Sequence, residues 1–198
     1  MHDAVLDLVG QTLGELNINC LKFNFRGVGA SEGDFDGGRG ETEDLLAVVD
    51  WAGEQKVQSL WLGGYSFGAH VVCRALPQAP DSSRVLLVAP PTAAMDVPEP
   101  PASLTVDVFA GDRDDFVDLD QLADWHDARL HIIAGADHFF GGSAHRLRET
   151  VAQALSRRGT RSVVFDLGAS GSSDIASNKD RMIGEPFSEA KKPRTEAT

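Results

Sequence analysis

Leu60-Trp61-Leu62 runs without a break into Gly63-Gly64-Tyr65-Ser66-Phe67-Gly68, with helix-forming residues over 69–76. Few backbones accommodate that order. A short apolar run followed at once by G-x-S-x-G and then by a helix reads as a strand that turns abruptly into the helix. At so tight a turn the serine is held in a strained conformation, and glycine two residues to either side lets the adjoining chain pass close by. The Ser66 hydroxyl is thereby pushed out above the sheet as a candidate nucleophile. The Phe67 N–H, at the positive end of the helix, points to where an oxyanion would form. A glycine-rich turn with an incidental serine fits the same letters, so the residues available to serve Ser66 decide between the two.

Residues 3–16 carry Val5, Leu6, Val9, Leu13 and Leu16 at helical spacing, an amphipathic helix. A strand follows over 17–25, then a glycine-rich loop from Arg26 and a helix over 41–52 with acidic residues in its first turn, favourable for the dipole. That loop reads G-x-G-x-x-x-G, with Ser31-Glu32-Gly33-Asp34 where a dinucleotide-binding helix would open, so nucleotide binding is disfavoured. Beyond the serine come strands over 84–89, 104–110 and 130–134 and helices over 119–127 and 144–157. Strands alternating with helices predict an α/β fold with a doubly wound, mostly parallel sheet, whose ligand sits beyond the carboxyl ends of the strands. Residues 161–167 are able to add an edge strand. Trp51, Trp61 and Trp125 are assigned to the core.

Two loops leave strands at the end of the sheet where Ser66 stands. One is Gly111-Asp112-Arg113-Asp114-Asp115-Phe116-Val117, the other Gly135-Ala136-Asp137-His138-Phe139-Phe140-Gly141-Gly142. Serine chemistry needs a neutral imidazole to take the hydroxyl proton and a carboxylate to fix that imidazole's tautomer. His138 offers the base; Asp112, Asp114 and Asp115 compete for the acid. The cluster fails as a calcium loop: counting from Asp112, Phe116 stands where a ligand is needed and Val117 where glycine is. No histidine pair has metal-ligand spacing, and neither metal nor cofactor is implied.

The segments Leu21-Lys22-Phe23-Asn24-Phe25-Arg26-Gly27-Val28-Gly29, Ser31-Glu32-Gly33, Phe35-Asp36, Gly40-Glu41, Gly64-Tyr65-Ser66-Phe67-Gly68 and Gly135-Ala136-Asp137-His138-Phe139-Phe140 resemble, in that order, a small bacterial family of alpha/beta superfamily hydrolases. The resemblance covers about residues 3–157 and implies the α/β-hydrolase fold, esterase-type activity and the chain order serine, acid, histidine. Its G-x-x-D-x-x-V pattern falls on Gly111, Asp114 and Val117, which favours Asp114 as the acid. Arg26 belongs to an R-G-x-G loop and is assigned a structural role. The resemblance also implies a hairpin, a central strand and a loop marked by His-Pro and Gly-Gly ahead of residue 3, the last giving a second oxyanion N–H. The chain therefore reads as N-terminally shortened. An open sheet position is expected between 17–25 and 59–62, with self-association through it. The proline-rich connection over 90–103 is too short for a large lid.

At 198 residues the chain suits one domain, 1–167, with a tail over 168–198 that lacks apolar periodicity and is expected to be disordered. A net charge of −12 argues against nucleic acid or an anionic membrane as partner. No apolar run is long enough to span a bilayer, and Cys20 and Cys73 read as reduced core residues; the expected location is cytoplasmic. The expectation is a serine hydrolase acting on a small carboxylic ester or thioester through an acyl-enzyme on Ser66, with His138, Asp114 and the Phe67 N–H. The alternative is a non-catalytic binding or assembly protein on the same fold, its oxyanion hole incomplete.

Overall fold

A computed structural model describes residues 3–55, 57, 59–79 and 82–156 and the course of a last strand at 163–167. In chain order the elements are α1 (Ala4–Glu15), β1 (Asn19–Phe23), α2 (Arg39–Glu54), β2 (Leu60–Tyr65), α3 (Phe67–Ala75), β3 (Ser82–Val88), β4 (Thr105–Gly111), α4 (Leu119–Ala123), β5 (Ala128–Ile133), α5 (Ala144–Ser156) and β6 (Val163–Leu167), with a 3₁₀ turn at Leu76–Gln78. The six strands form one sheet in the order β1-β6-β2-β3-β4-β5, and every pairing is parallel.

Local chemistry accounts for the helices. The Asp3 side chain caps α1 by accepting from Val5 and Leu6 N–H at 2.9 and 3.0 Å. Leu6, Val9 and Leu13 line a small cavity together with Gly63 and Gly64 of β2. α1 packs with α5, and α2 packs with α3, which also lies on β2. Such pairs of helices on a parallel sheet bury β2, β3 and β4 almost end to end, which is why those strands read as unbroken apolar runs. A buried tie crosses this core. Arg84 Nε donates to Asp107 Oδ2 at 2.9 Å, and its guanidinium lies 4.9 Å from the Trp61 ring centre. Arg129 and His131 close on the same carboxylate.

Three sequence expectations are corrected. Residues 163–167 form not an edge strand but a central one: Phe23 of β1 and Gly64 of β2 both register on Leu167. The position expected to stand open between β1 and β2 is thus filled from within the chain. Trp51 is 49% exposed rather than core, while Trp61 and Trp125 are buried. The helix expected over 119–127 stops at Ala123, and Asp127, which ends the turn that follows, adopts a left-handed φ of 58°. Cys73 is buried and Cys20 only half-buried. The tail expected over 168–198 lies outside the described residues. Among the described residues no helix is long and apolar enough to cross a membrane, and no group of side chains is arranged to hold a metal ion.

Candidate active site

β2 delivers its last residue, Tyr65, directly to the turn, and Ser66 stands there with φ 53° and ψ −121°. A non-glycine residue at positive φ stores strain that the surroundings must hold in place. The hold is visible. Ser66 N–H donates to Val88 O of β3 at 2.9 Å. A Cβ on Gly64 would come within 2.4 Å of the Gly68 backbone, so only glycine lets strand and helix approach this closely. Phe67 is the first residue of α3, and its N–H is one of the four that a helix leaves without an internal acceptor.

The loops after β4 and β5 meet above this turn. Gly111 makes the meeting possible, because a Cβ there would lie 2.2 Å from Ala136 O. Further bonds lace the loops together: Arg113 N–H to Ala136 O at 3.0 Å and Gly135 N–H to Asp112 Oδ1 at 2.5 Å. Of the three competing aspartates, Asp112 and Asp115 are exposed and Asp114 is buried. Asp114 accepts from His138 Nδ1 at 2.8 and 3.0 Å and from Phe116 N–H at 2.9 Å. With Nδ1 donating to Asp114, Nε2 is left as an acceptor, 2.8 Å from Ser66 Oγ. The structure therefore brings Ser66, His138 and Asp114 into one hydrogen-bonded row, buried but for a few per cent of each residue's surface, with Phe67 N–H beside it.

Several residues that support the site were given no part in its chemistry by the sequence. Burial raises the Tyr65 phenol well above its usual range, so its O–H stays a donor and holds the His138 carbonyl at 3.1 Å. Glu41, fully buried, accepts from Asp36 and Gly38 N–H, both at 2.8 Å, and so shapes the loop from β1 whose Phe35 meets Phe67. Arg26 clamps that loop to α2 through Asp44 and Glu43, in keeping with a structural role. His70, buried on α3 and stacked on Phe67, is pushed down to about 4, first by burial and then by the Arg74 charge. Phe35, Phe116 and Phe139 surround the row; only the adjacency of Phe139 to His138 was visible in the sequence. Between β3 and β4 the chain makes turns and no helix, so that connection supplies no helical lid.

A family profile described as X-Pro dipeptidyl-peptidase (S15 family) matches residues 20–98, from β1 to the turns after β3. An uncharacterized protein of Rickettsia prowazekii is 33% identical over 156 residues, covering 71% of this chain and 66% of that protein. The chain thus spans just under two thirds of that curated relative. Two solved structures are nearer in coverage. An α/β serine hydrolase from Xanthomonas campestris, described as lacking a lid, is 36% identical over 79% of this chain and 74% of its own, with a TM-score of 0.73. An α/β serine hydrolase homologue from Coxiella burnetii is 32% identical over 78% and 77%, with a TM-score of 0.66. With the parallel sheet and its flanking helices already described, identity at this level over most of both chains settles the family: the chain belongs to the α/β serine hydrolases.

Proposed function

We propose that this protein cleaves a small carboxylic ester or thioester through an acyl-enzyme on Ser66. The observation that carries the reading is the continuous row from Ser66 Oγ to His138 Nε2 at 2.8 Å and from His138 Nδ1 to Asp114 at 2.8 Å, set on a strained turn at the start of α3. His138 takes the hydroxyl proton as Ser66 Oγ attacks the carbonyl carbon. The oxygen that gains charge turns toward Phe67 N–H, where the helix start favours an anion. Collapse breaks the bond to the leaving group, which receives the proton from His138 Nε2. Water then repeats the sequence on the acyl-enzyme and frees Ser66. Asp114 stays ionised, orienting the ring and stabilising its cationic form. No cofactor enters these steps. The net charge of −12 disfavours nucleic acid and anionic membranes as partners, and the reading places the reaction in the cytoplasm on a freely diffusing substrate.

The test is labelling with a fluorophosphonate. The wild type is expected to take up one equivalent on Ser66 and Ser66→Ala none, with turnover of a short-chain aryl ester falling to background in the variant. Equal turnover by Ser66→Ala removes the nucleophile and the mechanism with it.

A further inference from the structure

Four large hydrophobic residues are exposed among the described residues: Phe35, Trp51, Ile132 and Phe139. Trp51 and Ile132 lie on α2 and β5, outside the loops that carry the chemistry. The other two flank it. Phe35 is 45% exposed, and its ring lies 5.3 Å from that of Phe67, the residue whose N–H faces the forming oxyanion. Phe139 is 48% exposed and sets its ring edge-on to His138 at 5.4 Å, while Phe116 meets the same imidazole at 4.7 Å.

Neither exposed ring is a loose end. Phe35 precedes Asp36, whose N–H is held by the buried Glu41. Phe139 precedes Phe140, which takes a left-handed φ of 54° and buries its own ring. The Asp137 side chain fixes the same turn through Gly141 N–H at 2.9 Å. Both backbones are thus built so that one ring of each loop stays out, beside the reacting groups.

Bond cleavage gives the two sides different tasks. The leaving oxygen receives its proton from His138 Nε2, so the leaving group must pass on the imidazole side, against Phe139 and Phe116. The acyl group stays on Ser66 with its carbonyl oxygen at Phe67 N–H, on the side of Phe35. We infer that Phe139 and Phe35 are separate specificity residues for the two halves of an apolar ester, Phe139 taking a hydrophobic or aryl alcohol and Phe35 the acyl chain. This rests on the acyl-enzyme reading above.

The division has a kinetic signature, because the alcohol has left before the acyl-enzyme is hydrolysed. Wild type, Phe35→Ala and Phe139→Ala are to be compared on two ester series: acetates of alcohols from methyl to naphthyl, and 4-nitrophenyl esters from acetyl to octanoyl. Phe139→Ala is expected to lower the naphthyl-to-methyl ratio of kcat/KM about tenfold and to leave the hydrolysis rate of the acetyl-enzyme, read after the burst, as in the wild type. Phe35→Ala is expected to lower the octanoyl-to-acetyl ratio about tenfold, to change hydrolysis of the octanoyl-enzyme, and to leave the alcohol ratio alone. Both sites being half-exposed, the variants should melt with the wild type. Parallel fluorophosphonate labelling separates the two failures. Normal labelling with unchanged ratios, or with both ratios shifted alike in both variants, overturns the assignment of Phe35 and Phe139 and leaves the serine mechanism standing. Absence of labelling in the wild type overturns both.

Discussion

Asp114 and His70 are both buried within reach of Ser66, and they make opposite demands on a measurement. Asp114→Asn keeps the shape of the row but presents His138 Nδ1 with an amide, so the tautomer that leaves Nε2 free is no longer favoured. Turnover is expected to fall about 10⁴-fold with little change in melting temperature, checked by ester kinetics beside a thermal scan. His70 should register in stability instead. Its value falls from 6.5 to about 4 on folding, so below pH 6.5 the unfolded chain takes up a proton that the folded one refuses. The stability this histidine supports is therefore whole above pH 6.5 and is lost as pH falls toward 4, by on the order of 3 kcal/mol. His70→Phe, which keeps a ring on Phe67, should flatten the urea midpoint over that range; an unaltered slope assigns the acid sensitivity elsewhere. Asp107 acts in the same direction at lower pH. Burial alone would raise it, but the bonds from His131 and Arg84 outweigh burial and hold it below the usual carboxylate range, so its contribution begins to be lost as pH drops through that usual range and is gone once pH is below the lowered value.

Among the elements, the junction of β2 and α3 was the most legible in the sequence and β6 the least. A strand, a glycine-flanked serine and a helix are contiguous, so the junction shows itself locally. Gly64→Ala tests how tightly it is drawn: the added methyl would meet backbone rather than a movable side chain, with an expected loss of about 1–3 kcal/mol in denaturant unfolding. The elements that hold Asp114 and His138 were legible through motif spacing, because both loops leave parallel strands at one end of the sheet. β6 was recognisable as a strand but not as a central one. Which strands lie beside it is decided by contacts far along the chain, and its five residues carry no mark of their neighbours. Trp51 was misplaced for a related reason: α2 turns Ala52 into the core, and a residue one step away on a helix points about 100° aside. Val164→Pro removes a backbone donor from a strand paired on both sides and should destabilise the protein by about 1–3 kcal/mol. A chain ending at residue 162 should fare worse, self-associating through the bared edges of β1 and β2. Sedimentation of that shortened chain beside the wild type checks it; a monomer of undiminished stability would show that the sheet does not depend on β6.

At the scale of the whole molecule, 30 acidic against 18 basic residues leave a surface that repels itself at neutral pH. Moderate salt is expected to raise the melting temperature slightly by screening that repulsion; a fall would show that the exposed ion pairs, such as Arg148 with Glu15, matter more. The placement of β6 bears also on how the protein is made. β1 is made well ahead of the strand that joins it to β2, which comes about 140 residues later, roughly 7–30 s at ordinary rates of translation. Once β2 has been made, the facing edges of β1 and β2 lack the strand that pairs with both in the folded sheet until β6 follows. The half of the sheet from β2 to β5 is free to form as its strands arrive. β1 and the loop carrying Phe35 join that half only when β6 is delivered, so until then two open strand edges need shelter.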